Sequence, residues 1–259
     1  MFILANTNPL EELTSKPLFE IFGITFTNHM FVVALAAALL GIAIPLSMRS
    51  SLLVRSGPGN MIEAICVFLR DDVVKPFLGK HTDRYIPVLW TLFFFILTLN
   101  LLGMVPLDKF FTLASGHTSH WGGSPTANIW VTGSLAFFSF VLFHAAGMYE
   151  NGPWNYIKNF TPKVPMPLMP FIFFIELISS FVRMFSLSIR LFANIMAGHI
   201  MLGTIMGFIF LFQNMAAATA SIAFVVALSM LELFVAFVQS YIFVFLTTIF
   251  ISFAVHQEH

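Results

Sequence analysis

The residues able to do chemistry in this chain are concentrated in Phe185 to His199, FSLSIRLFANIMAGH. An arginine, an asparagine and a histidine there interrupt a run that otherwise reads as membrane helix. An arginine at mid-bilayer costs roughly 2.5 to 3.5 kcal/mol on insertion scales, and such residues persist beside a partner, a wet cavity or an ion path. Arginine keeps its proton in proteins (pKa above about 12). Arg190 can therefore hold a carboxylate or interrupt a proton wire, but it cannot relay a proton. At about 100° per helical residue, Arg183 falls about 20° from Arg190, and Glu176 and Asn194 about 40° from it, which makes one polar stripe. His199 falls on the opposite face, about 180° away. In the last apolar run, Glu232 and Gln239 lie within about 20° of each other.

Depth follows from counting outward from Asn214. Arg190 stands 24 residues before it and Gln239 25 after; His199 stands 15 before and Glu232 18 after. An antiparallel hairpin turning there sets Arg190 near the depth of Gln239 and His199 near that of Glu232. A histidine and a buried carboxyl can exchange protons near neutral pH. Each feature also has a plainer reading. Asn194 and Gln239 serve equally well as interhelical hydrogen-bond glue, His199–Glu232 as a buried structural pair, and Glu176–Arg183 as either a helix-face ion pair or an exit path.

These residues need a membrane scaffold, and the composition supplies one. The chain has 259 residues, 58% hydrophobic and only 9% charged, against about 25% charged in a soluble domain. Twelve basic and twelve acidic residues exclude a basic nucleic-acid binder. The 33 phenylalanines and 14 methionines are lipid-facing and packing surface rather than a binding box. Cys66 stands alone, so no intramolecular disulfide or cysteine metal cluster forms. The opening residues carry no basic stretch before a short apolar core, so no cleavable signal is expected.

The fold expected is an all-α integral membrane protein, a single membrane domain over residues 1–259 with five passages. An outer segment, 1–28, precedes spans at about His29–Met48, Pro87–Val105 and Asn128–Met148. Six of the twelve basic residues lie between 49 and 87, which places that loop inside. Asn60 to Phe77 within it reads as an amphipathic helix in the interface. His117 and His120 in the next, outer loop lack a third ligand for a metal, and His144 reads as a packing histidine. After a proline-rich inner loop with Lys158 and Lys163 come two long apolar runs, Leu168–Phe212 and Ala216–Val255. A helix of about 45 residues is about 67 Å long and the hydrocarbon core about 30 Å thick. The functional hairpin, 168–255, must therefore be strongly tilted, or broken and laid partly along the membrane.

With these residues in view, the chain resembles the a subunits of F-type ATP synthases, stators beside the rotating c-ring. SLSIRLFANIMAGH matches that family's signature around its essential arginine, with weaker similarity through NLLGMVP (Asn100 to Pro106), ANIWVT (Ala127 to Thr132) and LELFVAFVQSYIFVFLT (Leu231 to Thr247). The resemblance implies that Arg190 faces the c-ring carboxylates and that Asn194 and Gln239 are its polar neighbours. His199 and Glu232 become the inlet half-channel pair, in the order also seen in mitochondrial members, and Glu176, with Arg183 near it, lies toward the exit. An acidic position of some members is Gly103 here. Two offset half-channels would then couple proton flow to ring rotation and ATP synthesis, without metal, nucleotide or covalent intermediate in this subunit. It would be no enzyme by itself. Its partners would be the c-ring, b-type peripheral-stalk subunits, the remaining synthase and lipid, in a bacterial plasma membrane or a mitochondrial inner membrane. Rivals are a sodium-coupled version, or a secondary transporter whose Arg190 binds an anionic substrate. The latter calls for an internal repeat, and none is seen.

Overall fold

The computed structural model describes residues 15–21, 24–47, 57–105, 107, 111–113, 116, 122–159, 168–212 and 215–256. In chain order these form strands β1 (Pro17–Ile21) and β2 (Ile24–Thr27) and helices α1 (Asn28–Ser47), α2 (Pro58–Phe68), α3 (Lys75–Leu78), α4 (Thr82–Met104), α5 (Ile129–Asn151), α6 (Pro153–Asn159), α7 (Met169–Phe212) and α8 (Met215–Val255). Five helical stretches are long and apolar enough to cross a membrane, so the protein is an all-α integral membrane protein, as the apolar runs require. The 44-residue α7 and 41-residue α8 are each assigned as one helix without interruption. Of the two alternatives for runs this long, a break is therefore not found, and helices of this length accord with an inclined course. His117, His120, Lys163 and the Gln213–Asn214 turn lie outside the described residues.

Three details differ from the sequence reading. β1 and β2 pair antiparallel, with Phe19 stacked on Phe26 at 4.8 Å between ring centroids; this segment is rich in β-branched and aromatic residues. The second span begins at Thr82 rather than Pro87, because the chain enters it already helical and Pro87 sits inside the helix. The amphipathic segment is not one regular helix: α2 passes through a π-helical turn, Leu69–Val74, into α3. The wider turn, closed by the Lys75 N–H donating to the Arg70 carbonyl, gathers Leu69, Val73, Val74 and Leu78 as buried residues while Arg70, Asp71, Asp72 and Lys75 stay exposed.

The chain divides into two compact units. The first comprises residues 1–44, 94–132 and 190–240. Here Asn28 ties three segments: its Oδ1 accepts from the Lys16 N–H at 2.9 Å and its Nδ2 donates to the Gly122 carbonyl at 2.7 Å. Val32 and Ala36 of α1 are fully buried.

The second unit comprises residues 45–93, 133–189 and 241–259. Leu89, Phe93, Phe243, Val244 and Ile251 are buried there. Asn151 caps the end of α8 by donating to the carbonyls of Ala254 and Val255. Glu150 accepts from Arg84 at 2.6 Å and from the Tyr85 hydroxyl at 3.1 Å. The Ser139 and Thr247 hydroxyls meet at 2.7 Å between α5 and α8. Interhelical hydrogen bonds of this kind average about 0.6 kcal/mol in membrane proteins. A double-mutant cycle of Ser139→Ala and Thr247→Val, read by unfolding in mixed micelles, is expected to give a coupling of about that size. A coupling beyond about 2 kcal/mol would mean that this contact organises the unit.

Candidate functional site

The candidate site is built in the first unit from α7 beyond Arg190, α8 up to Ser240 and α4 beyond Phe94. Arg190 lies exposed on α7, and among the described residues no hydrogen bond or ion pair engages its guanidinium. Asn194, one turn on, is half-buried and lines a cleft between α7 and α8.

That cleft, of about 160 Å³, is lined by Asn194, Gly198 and Met201 from α7 and by Leu228, Glu232 and Val235 from α8, among others. Glu232 is only 8% exposed, and its Oε1 has no hydrogen-bond partner among the described residues. Its carboxyl group packs against Gly198: a Cβ there would stand 2.8 Å from Oε1. The glycine thus makes room for the carboxyl group at the helix contact. The structure brings Glu232 and Asn194 into one cleft and sets Glu232 beside the residue preceding His199. The side chain of His199 itself lies outside the described residues.

Gln239 follows Glu232 by two turns and is 4% exposed, with its Nε2 unpaired among the described residues. No hydrogen bond joins it to Arg190 there. Beside it is a residue that the sequence reading passed over. Asn100 of α4, fully buried, donates through Nδ2 to the Ala236 carbonyl at 3.3 Å, and its Oδ1 is left without a partner among the described residues. Ala236, fully buried, is small enough to let the amide reach the α8 backbone. The sequence signal was a lone amide in an apolar run, inside the NLLGMVP stretch. Gly103 also has a physical account: a Cβ there would stand 2.5 Å from Ser124 Oγ, so buried Ser124 fills the space in which an acidic side chain would start.

Glu176 and Arg183 belong to the second unit. They form an ion pair, Nη2 to Oε1, at 2.5 Å, with the guanidinium also 5.8 Å over the Phe250 ring. Of the two arginines on the α7 stripe, one is thus neutralised within the helix and the other has no such partner among the described residues.

The sequence as a whole is similar to known proteins. The family model for the ATP synthase A chain matches residues 29–252. The chain belongs to the ATP synthase A chain family. The ATP synthase subunit a of Myxococcus xanthus is 37% identical over 240 residues, covering 91% of this chain and 75% of that protein. The ATP synthase subunit a of Maricaulis maris is 34% identical, covering 99% of this chain and all of its own length. That of Chloroherpeton thalassium is 35% identical, covering 92% and 69%.

The Gly198 contact makes a direct prediction. Gly198→Leu would fill the cleft in this ATP synthase A chain member and push the Glu232 carboxyl group aside. The substitution is expected to lower ATP-driven proton pumping by about tenfold or more, the scale on which displacement of a working group is felt, while the complex still assembles. Wild-type pumping in assembled complexes would show that the cleft is idle.

Proposed function

We propose that this chain forms two offset proton half-channels against a ring of carboxylate-bearing subunits and thereby couples proton flow to ring rotation and ATP synthesis. The observation that carries the reading is Arg190: a permanent cation, exposed on a membrane-crossing helix and unpaired among the described residues. In hydrocarbon that arrangement is costly. A carboxylate presented by a neighbouring subunit removes the cost, and the c-ring of the synthase is such a neighbour.

The remaining polar groups divide by their ability to exchange protons. Glu232, buried beside Gly198, is suited to take up and release a proton, and His199 one residue further along α7 is its natural partner. A proton passing them from the outer side neutralises a ring carboxylate, which then faces lipid cheaply. Near the end of a rotation the proton departs toward the inner side, along the α7 face that carries Glu176 and Arg183. The bare carboxylate next meets Arg190, which cannot hand a proton across and so separates the two paths. Asn194 and Gln239 are neutral hydrogen-bonding groups around the guanidinium. A membrane potential supplies about 2.3 kcal/mol per proton per 100 mV. The peripheral-stalk b-type subunits would hold the stator against the torque, in a bacterial plasma membrane or a mitochondrial inner membrane.

Proton flux and ATP synthesis in vesicles bearing the whole complex test this assignment. Arg190→Ala is expected to abolish coupled synthesis while passive proton leak persists. Glu232→Gln is expected to slow both, by about a hundredfold, the loss typical of removing a positioned proton-transfer group. Normal synthesis by both variants would reduce these groups to packing.

A further inference from the structure

In the second unit, His144 of α5 is held between two hydroxyl groups. Its Nδ1 lies 2.8 Å from the Tyr156 hydroxyl of α6, and its Nε2 lies 3.0 Å from the Ser180 hydroxyl of α7. The rings of Phe140 and Phe143 stand 4.4 Å from the imidazole on its own helix. Tyr156 reaches it because residue 147 is glycine; a Cβ there would clash with the Cε2–Cδ2 edge of the tyrosine ring. Ser180 is 2% exposed and lies between Glu176 and Arg183 along α7, four residues from one and three from the other, on a shared helical face.

We infer that His144 binds a proton in transit beside the Glu176–Arg183 pair, receiving and returning it through the Ser180 hydroxyl. The inference rests on the proton-path reading above. Its physical basis is the chemistry of the two partners. A neutral imidazole donates from one nitrogen and accepts at the other, whereas an imidazolium donates from both. A hydroxyl does either and rotates to suit. Both hydrogen bonds therefore survive protonation with no heavy atom moving. A histidine wedged against a backbone carbonyl or a carboxylate would favour one state instead.

Each step conserves charge and atoms. An excess proton arriving on a water at Ser180 passes to the hydroxyl oxygen as the hydroxyl hydrogen moves to Nε2, which leaves a neutral water, an intact serine and an imidazolium. The reverse transfer restores the neutral ring and releases one proton. Burial pushes the Tyr156 phenol up to about 12, so that hydroxyl stays intact on the far side and supports the ring in either state. Among the described residues, the charged and titratable groups that bear on this His144–Tyr156 cluster are Arg183 and Glu176 from α7, while α8 contributes the ring of Phe250 against Phe143. Glu150, further along α5, is turned to Arg84, Tyr85 and His81.

The test is ATP-driven proton pumping by the complete synthase in inverted vesicles, followed across about pH 5 to 8, the range in which imidazole titrates. His144→Gln keeps a donor and an acceptor for the two hydroxyls but binds no proton. Pumping is expected to fall about tenfold or more, and one ionisation is expected to vanish from the pH profile. Ser180→Ala leaves the imidazole in place, removes the link and is expected to lower the rate in the same way, which keeps the test open if the glutamine variant fails to assemble. A wild-type rate and profile in either assembled variant overturns the inference and leaves His144 as a clamp. Arg190→Ala in the same membranes separates the two levels. If it stops pumping while His144→Gln does not, only the His144 assignment falls; if neither does, the underlying reading falls with it.

Discussion

A guanidinium that keeps its proton at every accessible pH, carried on a helix that must cross hydrocarbon, is the constraint on which the rest of the arrangement depends. The helical backbone satisfies its own polar groups in a bilayer, so each polar side chain becomes a separate problem. The chain solves it in two ways. Glu232, Gln239 and Asn100 are buried within the first unit, away from lipid. Arg190 is turned outward, and under the proposed function a carboxylate of another subunit stabilises it. The polarity of the site is thus split between an inner set of neutral or neutralisable groups and an outer fixed cation. The proposed proton entry and proton blockage call for that separation of labour.

The contrast between Arg183 and Arg190 sharpens the point. The two residues lie seven apart on α7, nearly in line along the helix. Arg183 has a carboxylate at 2.5 Å and an aromatic ring beneath it. A charge-assisted hydrogen bond of this length offsets much of the desolvation of both partners. Nothing among the described residues does this for Arg190. If arginine on this stripe served only to anchor the helix, both would be expected to find partners in the chain. The asymmetry accords with the proposed pairing of Arg190 with an external carboxylate, and the fixed Glu176–Arg183 pair accords with the proton-exchanging role proposed for His144.

Much of this was legible in the sequence because hydropathy and charge act locally. Span ends were placed within a few residues wherever a helix starts from a loop, as at Asn28 and Ile129. Placement slipped at Thr82, where an upstream helix runs on through a proline. The stripe positions followed from helical period alone. Contacts between distant segments were not legible. Asn100 looked like one amide in an apolar run, and its partner is a carbonyl 136 residues away. His144 looked like a packing histidine because neither Tyr156 nor Ser180 declares itself as a partner until three helices are assembled. The β1–β2 hairpin was not legible because its runs, PLFEI and ITFT, are too short for an alternating pattern to stand out.

Glycine explains how such polar groups come to sit at helix contacts at all. In a membrane the hydrophobic effect does not drive helices together, and close approach depends on small residues. At three positions a glycine yields its space to a specific polar neighbour: Gly198 to the carboxyl group of Glu232, Gly103 to the hydroxyl of Ser124, and Gly147 to the ring of Tyr156. At each of the three the nearest atom belongs to a polar side chain, although at Gly147 the Ala254 carbonyl of α8 also lies close, at 3.0 Å from a Cβ. Each admits a hydrogen-bonding side chain into an interhelical space that a methyl group would close. These glycines therefore act less as flexible points than as vacancies, and where they fall along α4, α5 and α7 decides which polar groups can be buried without forcing the helices apart.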